Sequence, residues 1–391
     1  MLYLGLSITT LHLEFDFLVN NHFEFLIFSW TLLATFFYFI QNKIEIRVFL
    51  KKSAVPFFLV LLLILAPAVS SFFSDDYLNI LKDGEYKTLV KILCLCPFLF
   101  YFLNKERLKN CILNSVVFFY TVFAFYFLYR FFVLHEAREF DLRPTLHIRH
   151  GDPNFLCLFF SVMAPMCFSI AKDFFAGRKY LRFLIATFSG LLLIYCALVT
   201  ESRMGLISLF TGLGLLFIIS KLQTVVKAFA IGAASALVVF TMSQETALSN
   251  RFLDIKDKSS TDRILTYENG IKAFMSAPIF GVGMHAAQKT YFENSKYPDF
   301  QSDSKRLEIH STYLNVLAEL GSFGFFIFFA LLFWCFHLII KSTNKNKIFI
   351  LSSFVILFLS MLTIGVAYKD LIYVHIFMLA GLSQNQELDV F

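Results

Sequence analysis

The chain has 391 residues, 58% of them hydrophobic and 16% charged, with 53 phenylalanines and a mean hydropathy of +0.69. A soluble domain of this length needs more polar side chains to cover its surface, which excludes a large soluble module and leaves one membrane domain over residues 1–391. The net charge of +6 does not indicate nucleic acid, because the cations collect in short loops, as they do on the cytoplasmic side of membrane proteins.

Apolar runs near the ~20 residues that cross hydrocarbon predict an all-α polytopic protein of about twelve transmembrane helices. They fall near 2–19, 23–41, 54–73, 88–103, 110–133, 154–171, 181–199, 204–220, 224–242, 311–340, 348–366 and 370–385. The first is the weakest, since it holds Glu14 and Asp16; it also lacks the basic start and small-residue cleavage site of a signal peptide. The run near 311–340 is long enough to begin outside the bilayer. Lys43, Arg47, Lys51 and Lys52, then Lys105, Arg107 and Lys109, then Lys172, Arg178, Lys179 and Arg182, then Lys221 and Lys227, then Lys341, Lys345 and Lys347 all fall in alternate loops. That side is cytoplasmic, and both termini are expected there. All seven cysteines lie inside apolar runs and are expected to pack rather than to bridge or bind metal.

The opposite side receives one large loop, 243–310, with nine Lys/Arg and nine Asp/Glu. With no net charge, it must build any anion site from particular arginines. Within it, Ser260-Thr261-Asp262 offers an N-cap, and Ile264, Leu265, Ile271, Phe274 and Met275 recur at helical spacing until Pro278. This predicts a short amphipathic helix lying against the membrane or the bundle. Gly281-Val282-Gly283 then reads as a tight turn; without a following Gly-Lys-Ser/Thr it is not a phosphate loop.

Four outward features carry chemistry. Arg203, in Thr200-Glu201-Ser202-Arg203-Met204-Gly205, stands at a membrane edge where a guanidinium donates two hydrogen bonds to a lipid phosphate, or simply snorkels. Arg263 opens the loop helix, whose N-terminus favours an anion; the alternative is a pair with Asp262 or Glu268. His310, in His310-Ser311-Thr312-Tyr313-Leu314-Asn315, lies where the loop re-enters the membrane and suits a general base, a donor to a pyrophosphate oxygen, or a structural hydrogen bond. The stretch 134–154 is basic although it faces outward, with Arg138, Arg143, His147, Arg149 and His150 before Asp152-Pro153-Asn154; it suits a phosphorylated glycolipid or a solvated, internally paired loop. Asp75-Asp76 is a weak metal candidate because adjacent carboxylates splay apart, and neither a metal nor a cofactor is expected. Outside the inner membrane there are no nucleotide sugars, so a transferase there needs an already activated donor, which a polyprenyl-pyrophosphate sugar provides.

Over residues 143–330 these positions resemble the O-antigen ligase family and the related O-antigen polymerases. A Thr-x-Ser-Arg-x-Gly junction matches Thr200 to Gly205, and a loop arginine before a helix and a Pro-x-x-Gly-x-Gly turn matches Arg263 and Pro278 to Gly283. A His-Asn/Ser-x-Tyr-Leu stretch with a following Glu-x-Gly matches His310 to Leu314 and Glu319 to Gly321, and Asp/Asn-Pro-Asn matches Asp152 to Asn154. Where the family often carries Trp after the loop arginine, this chain has Tyr267.

The resemblance implies a GT-C-like, metal-independent, inverting glycosyltransferase in a bacterial inner membrane, with its active site facing the periplasm. Arg203 and Arg263 would clamp undecaprenyl pyrophosphate and His310 would serve the reacting centre; Arg143, Arg149, His150, Asn154, Ser202, Tyr267 and Tyr313 are candidates for substrate binding. The expected partners are membrane lipids, the undecaprenyl-pyrophosphate-linked glycan and a lipid A–core acceptor. An acceptor that is a second lipid-linked glycan would make the protein a polymerase, and a protein acceptor an oligosaccharyltransferase. A lipid-linked oligosaccharide flippase is the rival of another class, but it calls for charges inside several spans, which most spans here lack.

Overall fold

The computed structural model of the chain describes residues 43–74, 84–135, 152–219, 258–287, 309–368 and 370–384. The expected spans at 2–19, 23–41 and 224–242, most of the basic stretch with Arg143, Arg149 and His150, and much of the large loop lie outside the described residues. The described elements are all helices: α1 (Lys43–Lys52), α2 (Ala54–Phe73), α3 (Gly84–Phe102), α4 (Glu106–Phe132), α5 (Pro153–Ala176), α6 (Tyr180–Val199), α7 (Arg203–Ile219), α8 (Lys258–Ser276), α9 (Thr312–Lys341), α10 (Lys347–Ser360) and α11 (Asp370–Ser383). Five of these, from Ala54, Leu108, Pro153, Tyr180 and Thr312 onward, are long and apolar enough to cross a membrane. Three shorter apolar helices cover Arg203–Ile219, Lys347–Ser360 and Ile372–Ser383. Phe58, Phe118, Leu181, Leu184, Phe326 and Phe333 point outward, as lipid-facing side chains do and as a water-exposed surface rarely permits.

The helices gather into two compact units, divided within α4 after Val116. In the first, α9 packs on α2 and α11, and α3 packs on α2 and α11. Trp334 of α9 lies between Phe100 of α3 and Phe377 of α11, at centroid distances of 5.2 and 5.7 Å. α9 is not one straight helix. Gly321 sits at φ 64°, ψ −169° and breaks it into Thr312–Leu320 and a twenty-residue run, 321–340, without a formal charge. The long apolar run is thus two helical segments joined at Gly321.

In the second unit α5 is central. Within its apolar window 94% of residues are buried, and α6, α7 and α10 pack on it. Asp152 caps its start by accepting from the Asn154 amide at 2.8 Å, with Pro153 at the first helical position, where no amide hydrogen is missed. Interior hydroxyls are satisfied within and between helices. Thr121 donates to the Val117 carbonyl and lies 2.8 Å from the Ser189 hydroxyl, and Ser352 of α10 donates to Gly212 O of α7 at 2.6 Å. Lipid offers no competing water, so these bonds and close small-residue contacts hold the helices together.

Candidate functional site

The site in the first unit is built around the broken helix. The kink at Gly321 removes helical partners from the carbonyls of Ala318 and Glu319 and the amides of Ser322 and Phe323. The turn after α8 replaces them. Val282 N donates to Ala318 O at 3.1 Å and Gly283 N to Glu319 O at 3.0 Å; in return Ser322 N donates to Pro278 O at 2.9 Å and Phe323 N to Ile279 O at 3.0 Å. The Glu319 carbonyl also accepts from Ser70 Oγ of α2. Gly281 and Gly321 both have positive φ, 77° and 64°, and a Cβ on either would run into the other segment's backbone. The Pro-x-x-Gly-x-Gly and Glu-x-Gly motifs are thus the two halves of one backbone joint.

Above this joint, α8 lies along the start of α9. Gly270 admits Leu314 and Ile309 at close range, and Ala273, Ala287, Ile309 and Ala318 form a small buried cluster covered by Tyr267, Val282 and Leu314. Asn269 donates to Ala287 O at 2.7 Å and closes the far side. The segment carrying His310 is held from three directions. Tyr267 donates to the His310 carbonyl at 2.9 Å. Thr312 Oγ1 donates to Ile364 O at 2.6 Å and accepts from Val366 N at 3.1 Å, and Gly365 leaves room for the Ile309 carbonyl. Ser311 caps α9 by accepting from the Leu314 amide at 3.4 Å.

Arg263 is one helical turn before Tyr267, on the same flank of α8, and is half-buried. Burial pushes the Tyr267 phenol up, while the Arg263 charge pulls it down; burial prevails, so the phenol remains a donor. The structure therefore brings Arg263, Tyr267 and His310 into one neighbourhood. Tyr313 lies beside Phe328 and Phe329, with centroid distances of 6.2 and 5.5 Å. The N-cap expected at Ser260–Asp262 is displaced, since α8 already includes Lys258. Of the two cap candidates the sequence offers for α9, Ser311 takes the role and Thr312 grips the 364–366 turn instead, while Ser70, Asn269 and Gly365 are not singled out by the sequence. They act through backbone carbonyls distant along the chain, and nothing in their own neighbourhood signals it.

Arg203 belongs to the second unit, at the first position of α7. Thr200 closes α6 by donating to Ala197 O at 2.7 Å, and Glu201 takes a left-handed conformation, φ 53°, to reverse the chain. Ser202, buried, donates to Asn154 Oδ1 at 2.9 Å. One turn further on, Gly205 faces Cys157, where a Cβ would overlap the thiol sulfur. Here too two sequence motifs, Asp-Pro-Asn and Thr-x-Ser-Arg-x-Gly, are halves of one joint. Ser202 and Asn154 use this hydrogen bond on each other in the interior, and Arg203 emerges half-buried from the turn they fix. Among the described residues no three His, Cys, Asp or Glu side chains group to hold a metal ion.

Residues 188–329 match the family model described as O-Antigen ligase. The matched stretch includes Ser202, Arg203, Arg263, Tyr267, His310 and Tyr313, so the resemblance read from those motifs is shown there; Asp152 to Asn154 precede it. No curated protein matches the chain.

Proposed function

We propose that this protein is an O-antigen ligase-type glycosyltransferase, moving a glycan from undecaprenyl pyrophosphate to lipid A–core on the periplasmic face of the inner membrane. The observation that carries this reading is the clamp of Tyr267 on His310 one turn from Arg263, within the stretch that matches the O-antigen ligase model. It fixes the backbone that carries His310 one helical turn from Arg263, which supports a shared role for the two side chains.

The acceptor hydroxyl oxygen attacks the anomeric carbon from the side opposite the diphosphate. The bond from that carbon to the diphosphate oxygen breaks, and its electron pair leaves with undecaprenyl pyrophosphate. Arg203 and Arg263 serve that leaving group, each guanidinium offering paired donors to phosphate oxygens as negative charge develops. Two roles fit His310: taking the acceptor proton, or donating to a diphosphate oxygen while the acceptor proton passes to a leaving diphosphate oxygen or to water. Tyr267 holds its backbone in place, and neither role needs a metal ion.

The test is glycan transfer by the purified protein from a defined undecaprenyl-pyrophosphate glycan to lipid A–core, with no metal added. Product that disappears with Arg203→Ala, Arg263→Ala or His310→Ala supports the ligase and its site together. Donor chaining onto donor makes the protein a polymerase. No turnover with either acceptor overturns both readings.

A further inference from the structure

The loop helix α8 packs with the face that composition alone would turn outward. Its buried residues are Thr266, Asn269, Gly270 and Ala273, whereas Ile271 and Met275 on the opposite face are 48% and 73% exposed, and Ile279 just beyond is 61% exposed. The small residues are consumed by close approach to α9. The large aliphatic ones are left facing away from the protein.

Two independent counts locate the level at which this face ends. α2 is a charge-free run of twenty residues, Ala54–Phe73, ending outward of the cytoplasmic Lys51 and Lys52. The run 321–340 of α9 is likewise twenty residues without a formal charge, beginning at the Gly321 break. Each spans about 30 Å, the thickness of the hydrocarbon core. Their outer ends, Phe73 and Phe323, both meet Phe280, stacked on Phe73 at 4.2 Å and against Phe323 at 5.9 Å. Ile279 and Phe280 thus sit at the hydrocarbon edge, continuous with the lipid-facing Phe72 and Phe326.

We infer that α8 is seated in the outer leaflet of the bilayer, with Ile271, Met275 and Ile279 immersed in lipid. Glu268 and Lys272, exposed beside the stripe, then lie among headgroups. The occupant is lipid because Ile279 leads into Phe280, which packs on Phe73 and Phe323 at the outer ends of two apolar spans whose own outward faces are exposed. This seating makes the membrane surface itself fix the depth of Arg263 and the His310 segment.

Electron paramagnetic resonance of the full chain in phosphatidylethanolamine/phosphatidylglycerol nanodiscs tests this independently of any transfer activity. The exposed native thiols Cys94 and Cys111 are replaced by Ser, and a nitroxide is placed singly at Ile271→Cys, Met275→Cys, Ile279→Cys and Ser276→Cys. Collision with oxygen over an aqueous nickel chelate should be favoured several-fold more at the first three than at position 276. Quenching of a bimane at the same positions by nitroxide-bearing lipid should follow the same order. A preference for the nickel chelate at the three positions overturns the proposal. So does shielding from both reagents, which would mean that protein covers the stripe.

Discussion

The Tyr267 hydroxyl donates to the His310 backbone carbonyl at 2.9 Å, so a loop helix and the start of a membrane helix share one hydrogen bond at the candidate reacting centre. The bond engages the backbone carbonyl of His310 and so fixes the segment that carries the imidazole. Thr312, gripping the 364–366 turn, holds the same segment from the other side. Placement of His310 is therefore a property of three elements distant in sequence.

Tyr267→Phe should keep the ring packed on the small-residue cluster and remove only this hydrogen bond. A lost hydrogen bond of this kind is worth about 1 kcal/mol, corresponding to about a fivefold change. The expected result is a fall of that size in kcat for glycan transfer, with KM for the lipid-linked donor little changed. His310→Ala should abolish transfer altogether. A Tyr267→Phe enzyme with a raised donor KM and normal kcat would instead place the phenol on the donor.

Burial raises the Tyr267 phenol above its ordinary value of 10.0, with Arg263 opposing in part. A raised value means that the folded protein favours the protonated phenol. The clamp is then fully present below pH 10 and weakens only as pH rises through the higher folded value. Tyr267→Phe should therefore lower transfer by the same factor at every pH from 6 to 9, measured as parallel rate profiles. A factor that varies with pH across that range would contradict this assignment.

Gly281→Ala and Gly321→Ala should each destabilise the fold by at least about 2 kcal/mol, because each puts a Cβ at positive φ and into the facing backbone. The two glycines close one joint, so the double variant should cost clearly less than the sum. Thermal unfolding in detergent, followed by tryptophan fluorescence, measures both. Gly214, which has open space around its Cα, serves as the comparison and should accept Ala without loss.

Among the described residues, helix positions are largely legible in the sequence: the run expected at 54–73 is α2, and that at 181–199 differs from α6 by one residue at its start. Hydropathy carries this information because lipid demands about twenty apolar residues per crossing. The motifs around Arg203, Arg263 and His310 were legible as separate strings, but not that they interlock in pairs. That pairing lies in backbone amides and carbonyls freed by a kink, to which side-chain identity gives no direct clue. For α8 the sequence leaves open whether the apolar residues face the membrane or the bundle, and the packing on α9 uses the small residues instead. Helical spacing drew attention to Ile264, Ile271 and Met275, whereas close packing on α9 selected Gly270 and Ala273.

Arg203→Lys and Arg263→Lys should each lower transfer about 10²- to 10³-fold, the range for removing a preorganised donor from developing oxyanion charge. Lysine keeps the positive charge but not the planar pair of N–H donors. Both variants should unfold at the same temperature as the parent, since neither side chain is fully buried. Near-normal rates from the lysine variants would reduce the arginines to simple counter-charges for lipid phosphate.

The joint beneath Arg203 makes a sharper demand. A methyl group added at Gly205 meets the Cys157 sulfur and comes within 3.0 Å of Ser202 Oγ, the hydroxyl that holds Asn154. Gly205→Ala must therefore push α7 from α5 or turn the Cys157 thiol, and either disturbs the turn from which Arg203 emerges. Stability should fall by about 1–3 kcal/mol, the usual cost of overpacking a close contact, and transfer should fall with it. Cys157→Ala removes the sulfur while leaving the helix intact. Combined with Gly205→Ala it should recover part of the lost stability and transfer, since the Cβ of residue 157 stays 2.9 Å from the added methyl, although Cys157→Ala alone gains nothing. If the pair is no better than Gly205→Ala by itself, the sulfur is not the contact that matters, and the Cβ of residue 157 together with Ser202 Oγ sets the α5–α7 approach at this level.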